Sequence, residues 1–134
     1  MKQTIRRVVA ALALVALAGV LFAACGGGGS DGGGSAYKEP KGPATETIDV
    51  EAGNFYFKPD KITAKPGIAE IKLTAKTGIH DFVFDDAYPG FQLEADSGGA
   101  SESKKIDLKP GTYTFYCSIT GHRAAGMEGT LTVK

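Results

Sequence analysis

The stretch Pro110-Gly-Thr-Tyr-Thr-Phe-Tyr-Cys-Ser-Ile-Thr-Gly-His-Arg-Ala-Ala-Gly-Met-Glu-Gly-Thr-Leu-Thr-Val133 decides how this chain folds. Pro110-Gly111 is a turn pair. After it, Tyr113, Phe115 and Cys117 fall on one face, and Thr112, Thr114 and Tyr116 on the other. A period of two is the pattern of a half-buried strand. The run gives way to a loop carrying Gly121 and Gly126, then resumes at Thr130 to Val133 with Leu131 and Val133 facing inward. Strands with one apolar face need a second layer to cover that face.

The same alternation extends outward along the chain. Ile48 and Val50 share a face of the run Thr47 to Ala52, and Asn54-Phe-Tyr-Phe57 continues it until Pro59. Lys61 to Lys65 is a short strand closed by Pro66-Gly67. Ala69, Ile71, Leu73 and Ala75 alternate with Glu70, Lys72 and Thr74. Ile79 to Asp85 places His80, Phe82 and Phe84 together, and Lys104 to Leu108 is a further strand. Tyr88 to Ser103, rich in Gly, Ser and acidic residues, reads as a loop with room for one short helix. No segment sustains an apolar stripe of period 3.6. About seven or eight short strands in about 90 residues imply an all-β Greek-key sandwich.

Ahead of this domain, Lys2, Arg6 and Arg7 precede an apolar run from Val8 to Ala24 that ends in Phe-Ala-Ala-Cys25. A basic start, an apolar middle and small residues before the break mark residues 1–24 as a secretory signal. The small residues before Cys25 resemble a bacterial lipobox, which implies cleavage there and lipidation of Cys25. An uncleaved anchor is the alternative, because the run approaches the shortest length that spans a bilayer. Either arrangement puts the domain outside the cytoplasmic membrane. Residues 25–45 are expected to be a flexible tether, dense in Gly and Ser through Ser35 and then in Lys, Pro, Gly and Thr. Roughly 20 such residues have a root-mean-square reach of about 25 Å. The domain itself is expected over 46–134.

Charge narrows the partners. The chain has 15 basic and 15 acidic residues. Setting aside Lys2, Arg6 and Arg7 leaves 12 basic residues against 15 acidic, a net of about −3. No basic patch emerges, so nucleic acid is not an expected partner. A disulfide between Cys25 and Cys117 is not expected, since a lipidated Cys25 has no free thiol.

The chemistry-bearing residues are scarce and grouped. The chain has 2 Cys, 2 His and 2 Met. Apart from Cys25 and the initiator, the soft donors are Cys117 and Met127, and they flank His122 in the spacing C-x4-H-x4-M. The other histidine, His80, opens an earlier strand. Taken singly, Cys117 would pass as a small buried hydrophobe, His80 as a satisfied core histidine and Met127 as core filler. Together, two imidazoles, a thiolate and a thioether form the ligand set of a blue-copper electron-transfer site, with one copper per chain. Zinc could use the same donors, but divalent copper binds such sites more tightly.

The domain resembles the cupredoxins, blue-copper proteins of the plastocyanin/azurin family. The resemblance rests on Asn54-Phe-Tyr-Phe-Lys-Pro59, Ile79-His-Asp-Phe-Val-Phe84 and Pro110-Gly-Thr-Tyr-Thr-Phe-Tyr-Cys117, and spans the chain from about Thr45 to Lys134. The ligand loop is similar to those of auracyanin, rusticyanin and sulfocyanin. This resemblance implies His80, Cys117, His122 and Met127 as copper ligands. It also implies a tie between the residue after the first histidine and the residue after the cysteine. Here those positions are Asp81, where Asn is usual in the family, and Ser118. A carboxylate near the copper–thiolate pair would favour the oxidised state and lower the reduction potential.

These readings lead to a monomeric electron carrier rather than an enzyme. Copper enzymes need further histidine-rich sites, and both histidines are already used. A dinuclear copper centre would need a second cysteine near Cys117. A copper storage or delivery module is the alternative, although an enclosed thiolate favours retention over exchange. The expected partners are redox proteins, such as a cytochrome or an oxidase or reductase complex, met while the carrier is lipid-anchored to the outer face of the membrane. Small residues around His122, notably Ala124 and Ala125, suit brief docking there.

Overall fold

The computed structural model describes residues 36–98 and 101–134. The signal segment 1–24, Cys25 and the Gly/Ser run that follows it lie outside these residues. Among the described residues there are nine strands and no helix: β1 (Glu46–Gly53), β2 (Tyr56–Lys58), β3 (Lys61–Ala64), β4 (Gly67–Ala75), β5 (Ile79–Phe84), β6 (Gln92–Asp96), β7 (Ser101–Leu108), β8 (Gly111–Tyr116) and β9 (Glu128–Val133). They form two sheets, ordered β2-β1-β4-β7 and β3-β9-β8-β5-β6. The pairs β1/β4 and β3/β9 are parallel, and the remaining neighbours are antiparallel.

Alternation along each strand builds the core. Ala69, Ile71, Leu73 and Ala75 of β4 point inward, as do Leu131 and Val133 of β9. Phe82 and Phe115 lie flat on one another at the centre, with ring centroids 4.5 Å apart and planes 16° from parallel. Phe57 meets both edge-on, at 5.8 and 5.4 Å. Each such buried side chain stabilises the sandwich by roughly 1.5–3 kcal/mol.

Two segments differ from their reading in the sequence. Asn54 to Phe57 does not prolong β1: the chain turns, and β2 folds back on β1 with Ala52 opposite Phe57. Phe55 takes a left-handed backbone (φ 59°) in this turn, and Gly53 leaves room for the Tyr56 ring, which a β-carbon would overlap. Tyr88 to Ser103 is not all loop and holds no helix among its described residues. It supplies β6 and the start of β7, because Leu93 and Ala95 alternate inward and pair with Phe82 and His80 of β5.

Residues 36–45, assigned by composition to the end of the tether, lie against the domain. The Tyr37 hydroxyl donates to the Lys105 carbonyl (3.1 Å), and its ring meets Phe91 edge-on at 5.0 Å. The Glu39 carboxylate accepts the Lys105 amide (2.9 Å), and the Thr45 amide donates to the Ile68 carbonyl (2.7 Å). The Lys and Pro residues of this stretch conceal these two anchoring side chains.

The sheet register also sets up the end of the sandwich that matters. β5 and β8 are antiparallel, with Val83 opposite Tyr116, so the start of β5 runs on past the end of β8, where Asp81 meets Ser118. β8 and β9 form a hairpin whose long loop carries the soft donors.

Candidate metal centre

Cys117 and Met127 close the β8–β9 hairpin. Tyr116 pairs with Glu128, and one step further the Cys117 amide donates to the Met127 carbonyl (3.1 Å). Residues opposite one another on antiparallel strands direct their side chains to the same face. Both side chains are fully buried. Between them the loop is wound by turn bonds: His122 N–H to Ile119 O, Ala125 N–H to Gly121 O, Gly126 N–H to Arg123 O and Met127 N–H to His122 O. Gly121 (φ 86°) and Gly126 (φ 102°) adopt left-handed conformations that other residues resist.

His80 reaches the same point from β5. One donor atom each from His80, Cys117 and His122 lie within 4.8 Å of one another. Cys117 Sγ is 3.3 Å from His122 Nδ1, and the two imidazole centroids are 5.1 Å apart. The structure therefore brings together residues separated by more than thirty positions in sequence. Met127, the fourth candidate, is joined to this group through its backbone bonds to both Cys117 and His122.

The protonation of His80 is set by its neighbours. Its Nε2 lies 2.7 Å from the Thr77 carbonyl, which can only accept, so Nε2 carries the hydrogen. Nδ1 is then a bare lone pair. It is buried and has no hydrogen-bond partner among the described residues. A buried polar atom without a partner is costly and calls for an explanation. A metal ion is one that fits, since a ligating histidine commonly donates its other ring nitrogen to a carbonyl. Burial holds the imidazole below its usual pKa, against the Thr77 bond, which raises it. Burial likewise pushes the Cys117 thiol up. The donor set suits copper: two nitrogens, a sulfur and a buried thioether.

Asp81 links the two ligand-bearing strands. Only 2% exposed, its carboxylate accepts the Ser118 amide (2.5 Å), the Ser118 hydroxyl and Gln92 Nε2 (3.0 Å). All three partners donate, which matches an acceptor-only carboxylate. Ser118 is thus bonded through both its backbone and its side chain.

Ala124 and Ala125 are exposed beside a half-buried His122. The apolar surface against the His122 ring, however, comes from other elements. Phe55 meets that ring edge-on at 5.2 Å. A groove of about 520 Å³ is lined by Asn54, Phe55, Gly78, Ile79, Ile119 and the two histidines. Phe55 and Ile79 are 49% and 56% exposed, so this face is open. Sequence reasoning missed Phe55, Ile79, Thr77 and Gln92. Phe55 was assigned to a strand and Gln92 to a loop, and the role of Thr77 belongs to its backbone. Only the alternation of Leu93 and Ala95 could have flagged β6, and hence Gln92.

Residues 44–134 match the family model of copper-binding proteins, plastocyanin/azurin family. The chain is 44% identical over 98 residues to plastocyanin of Dryopteris crassirhizoma, covering 63% of this chain and 93% of that protein. It is 34% identical over 109 residues to plastocyanin of Nostoc punctiforme, covering 68% and 76%. Among solved structures it is similar in fold to auracyanin B (TM-score 0.57, 22% identity, 76% of this chain and 96% of that one). Reduced auracyanin of the photosynthetic bacterium Roseiflexus castenholzii is a second such neighbour (TM-score 0.55, 22% identity, 69% and 99%).

Proposed function

Because the chain belongs to the plastocyanin/azurin family of copper-binding proteins, we propose that it carries single electrons between redox proteins at the outer face of the cytoplasmic membrane. That it is a blue-copper electron-transfer protein follows from the family and the site. The observation that carries the reading is the buried, unpartnered Nδ1 of His80 within the His80–Cys117–His122 cluster.

His80, Cys117, His122 and Met127 would hold the copper ion, which supplies one-electron chemistry by alternating between its cupric and cuprous forms. The chain supplies restraint. Thr77 fixes the His80 ring, the hairpin closure fixes Cys117 against Met127, and Asp81 ties Ser118 to β5. A site whose donors are held this firmly changes little when the electron moves. Burial of Cys117 and His80 excludes water and opposes exchange of the metal, which speaks against a delivery module. His122 is the one histidine of the pair that is not buried, so its ring edge is the exit for the electron. Docking around it uses Ala124 and Ala125 on one side and Phe55, Ile79 and Ile119 on the other.

Loading the full-length protein with Cu(II) tests the reading. An intense visible band from charge transfer between the Cys117 sulfur and copper is expected, and Cys117→Ser should abolish it. Fully loaded protein without such a band would overturn the assignment.

A further inference from the structure

We infer that Arg123 is the positioning residue of the ligand loop, a clasp that holds His122 and Met127 in place relative to Cys117. The inference rests on the copper reading for its purpose, but the clasp itself belongs to the metal-free chain and is tested there. Its guanidinium makes a bidentate pair with Asp85, Nη1 to Oδ1 at 3.1 Å and Nη2 to Oδ2 at 2.9 Å. Its Nε donates to Glu128 Oε2 at 2.6 Å. Its Cζ lies 4.0 Å from the centroid of the Tyr116 ring. Such a planar fork, filled on two edges and stacked on one face, leaves the side chain few other conformations.

The partners explain the role. Tyr116 immediately precedes Cys117, Glu128 immediately follows Met127, and Arg123 itself follows His122. Asp85 directly follows β5, the strand that His80 helps to open. One side chain therefore grips the residues next to Cys117 and Met127 and the far end of the strand that carries His80. The loop needs this grip. Gly121 and Gly126 have no side chains, and Ala124 and Ala125 are exposed. Arg123 is thus the lateral anchor between His122 and Met127. An isolated surface ion pair contributes little, but a network with bidentate geometry and ring stacking contributes more. Lysine cannot replace it, because a point charge satisfies one partner and not all three.

Amide hydrogen exchange on the metal-free, full-length protein is the primary test. The amides of Ala125, Gly126 and Met127 are bonded only within the loop and report its opening. In Arg123→Gln they should exchange about tenfold faster, a factor in keeping with the loss of networked pairs and a cation–π contact. Amides of β1 and β4 should be unaffected. Arg123→Lys should recover only part of the protection, and Asp85→Asn should reproduce part of the loss even if Arg123→Gln folds poorly. Once loaded with Cu(II), Arg123→Gln should show altered relative intensities of its visible bands, which a contribution to global stability alone would not produce. Unchanged loop exchange in Arg123→Gln, equal acceleration throughout the domain, full rescue by lysine or an unaltered spectrum would each overturn the clasp. If the unmutated protein shows no visible band, the copper reading fails, while the exchange comparison still decides the clasp.

Discussion

Thr77 O and His80 Nε2 are 2.7 Å apart across a short turn, and this single bond determines which nitrogen of His80 faces the centre. Asp81, the next residue, acts in the other direction by fastening β5 to Ser118. Replacing it separates charge from geometry. Asp81→Asn can still accept the Ser118 amide but removes a negative charge beside the thiolate. The visible band should persist while the reduction potential rises, as voltammetry would show. Asp81→Ala removes the buried acceptor of three hydrogen bonds, whose donors on the exposed Ser118 and Gln92 can turn to water, and should cost about 0.5–1.5 kcal/mol of unfolding free energy. Gly129 faces a different constraint: a β-carbon there would overlap Phe115 Cζ and the backbone oxygen of Asp60. Gly129→Ala is expected to destabilise the protein by about 1–3 kcal/mol, read from denaturant unfolding.

The β8–β9 hairpin shows how a loop can be both long and ordered. Its closing pair is Cys117 and Met127, its interior is a series of turns, and its outer side is Arg123 bonded to Asp85 and Glu128. Hydrogen bonding to Arg123 holds the Asp85 carboxyl below the usual carboxylate range. A carboxylate whose folded pKa is depressed adds stability that is complete above its unfolded value, about 3.9, and is lost as pH falls through the folded one. Metal-free protein should therefore lose thermal stability on acidification below about pH 4. Asp85→Asn should be less stable near neutrality and show a shallower loss over that acid range. Glu128 and Asp86 remain in the variant, so the difference between the two melting curves isolates Asp85.

At the level of the assembled protein, the copper end presents His122 within an apolar, uncharged groove, while the basic start, the apolar run and Cys25 lie at the other end of the sequence. If docking uses the groove, Ile79→Glu should slow electron transfer to a partner more than Ala124→Glu does. Both should leave spectrum and potential almost unchanged. Rates measured against a purified acceptor would decide it, and equal rates in all three proteins would place the exit elsewhere. Cys25→Ser should release the protein from membranes. Retention of that variant with residues 1–24 still attached would favour an uncleaved anchor.

Strand alternation and four scarce side chains were legible because period-two patterning and soft-donor chemistry are local properties of the chain. Phe82, Phe115 and Leu131 announce their inward faces by their neighbours alone, and C-x4-H-x4-M names its metal by donor type. Contacts made across the sandwich were not legible. The fold back at Phe55 depends on Gly53 accommodating a ring three residues later, and β6 depends on pairing with β5. The orientation of His80 depends on a carbonyl, which no side-chain code reports. The clasp on Arg123 depends on Asp85, nearly forty residues away, arriving beside it. Sequence determined which atoms could bind a metal; only the tertiary structure decided which of them meet, because convergence is set by sheet register and not by spacing along the chain.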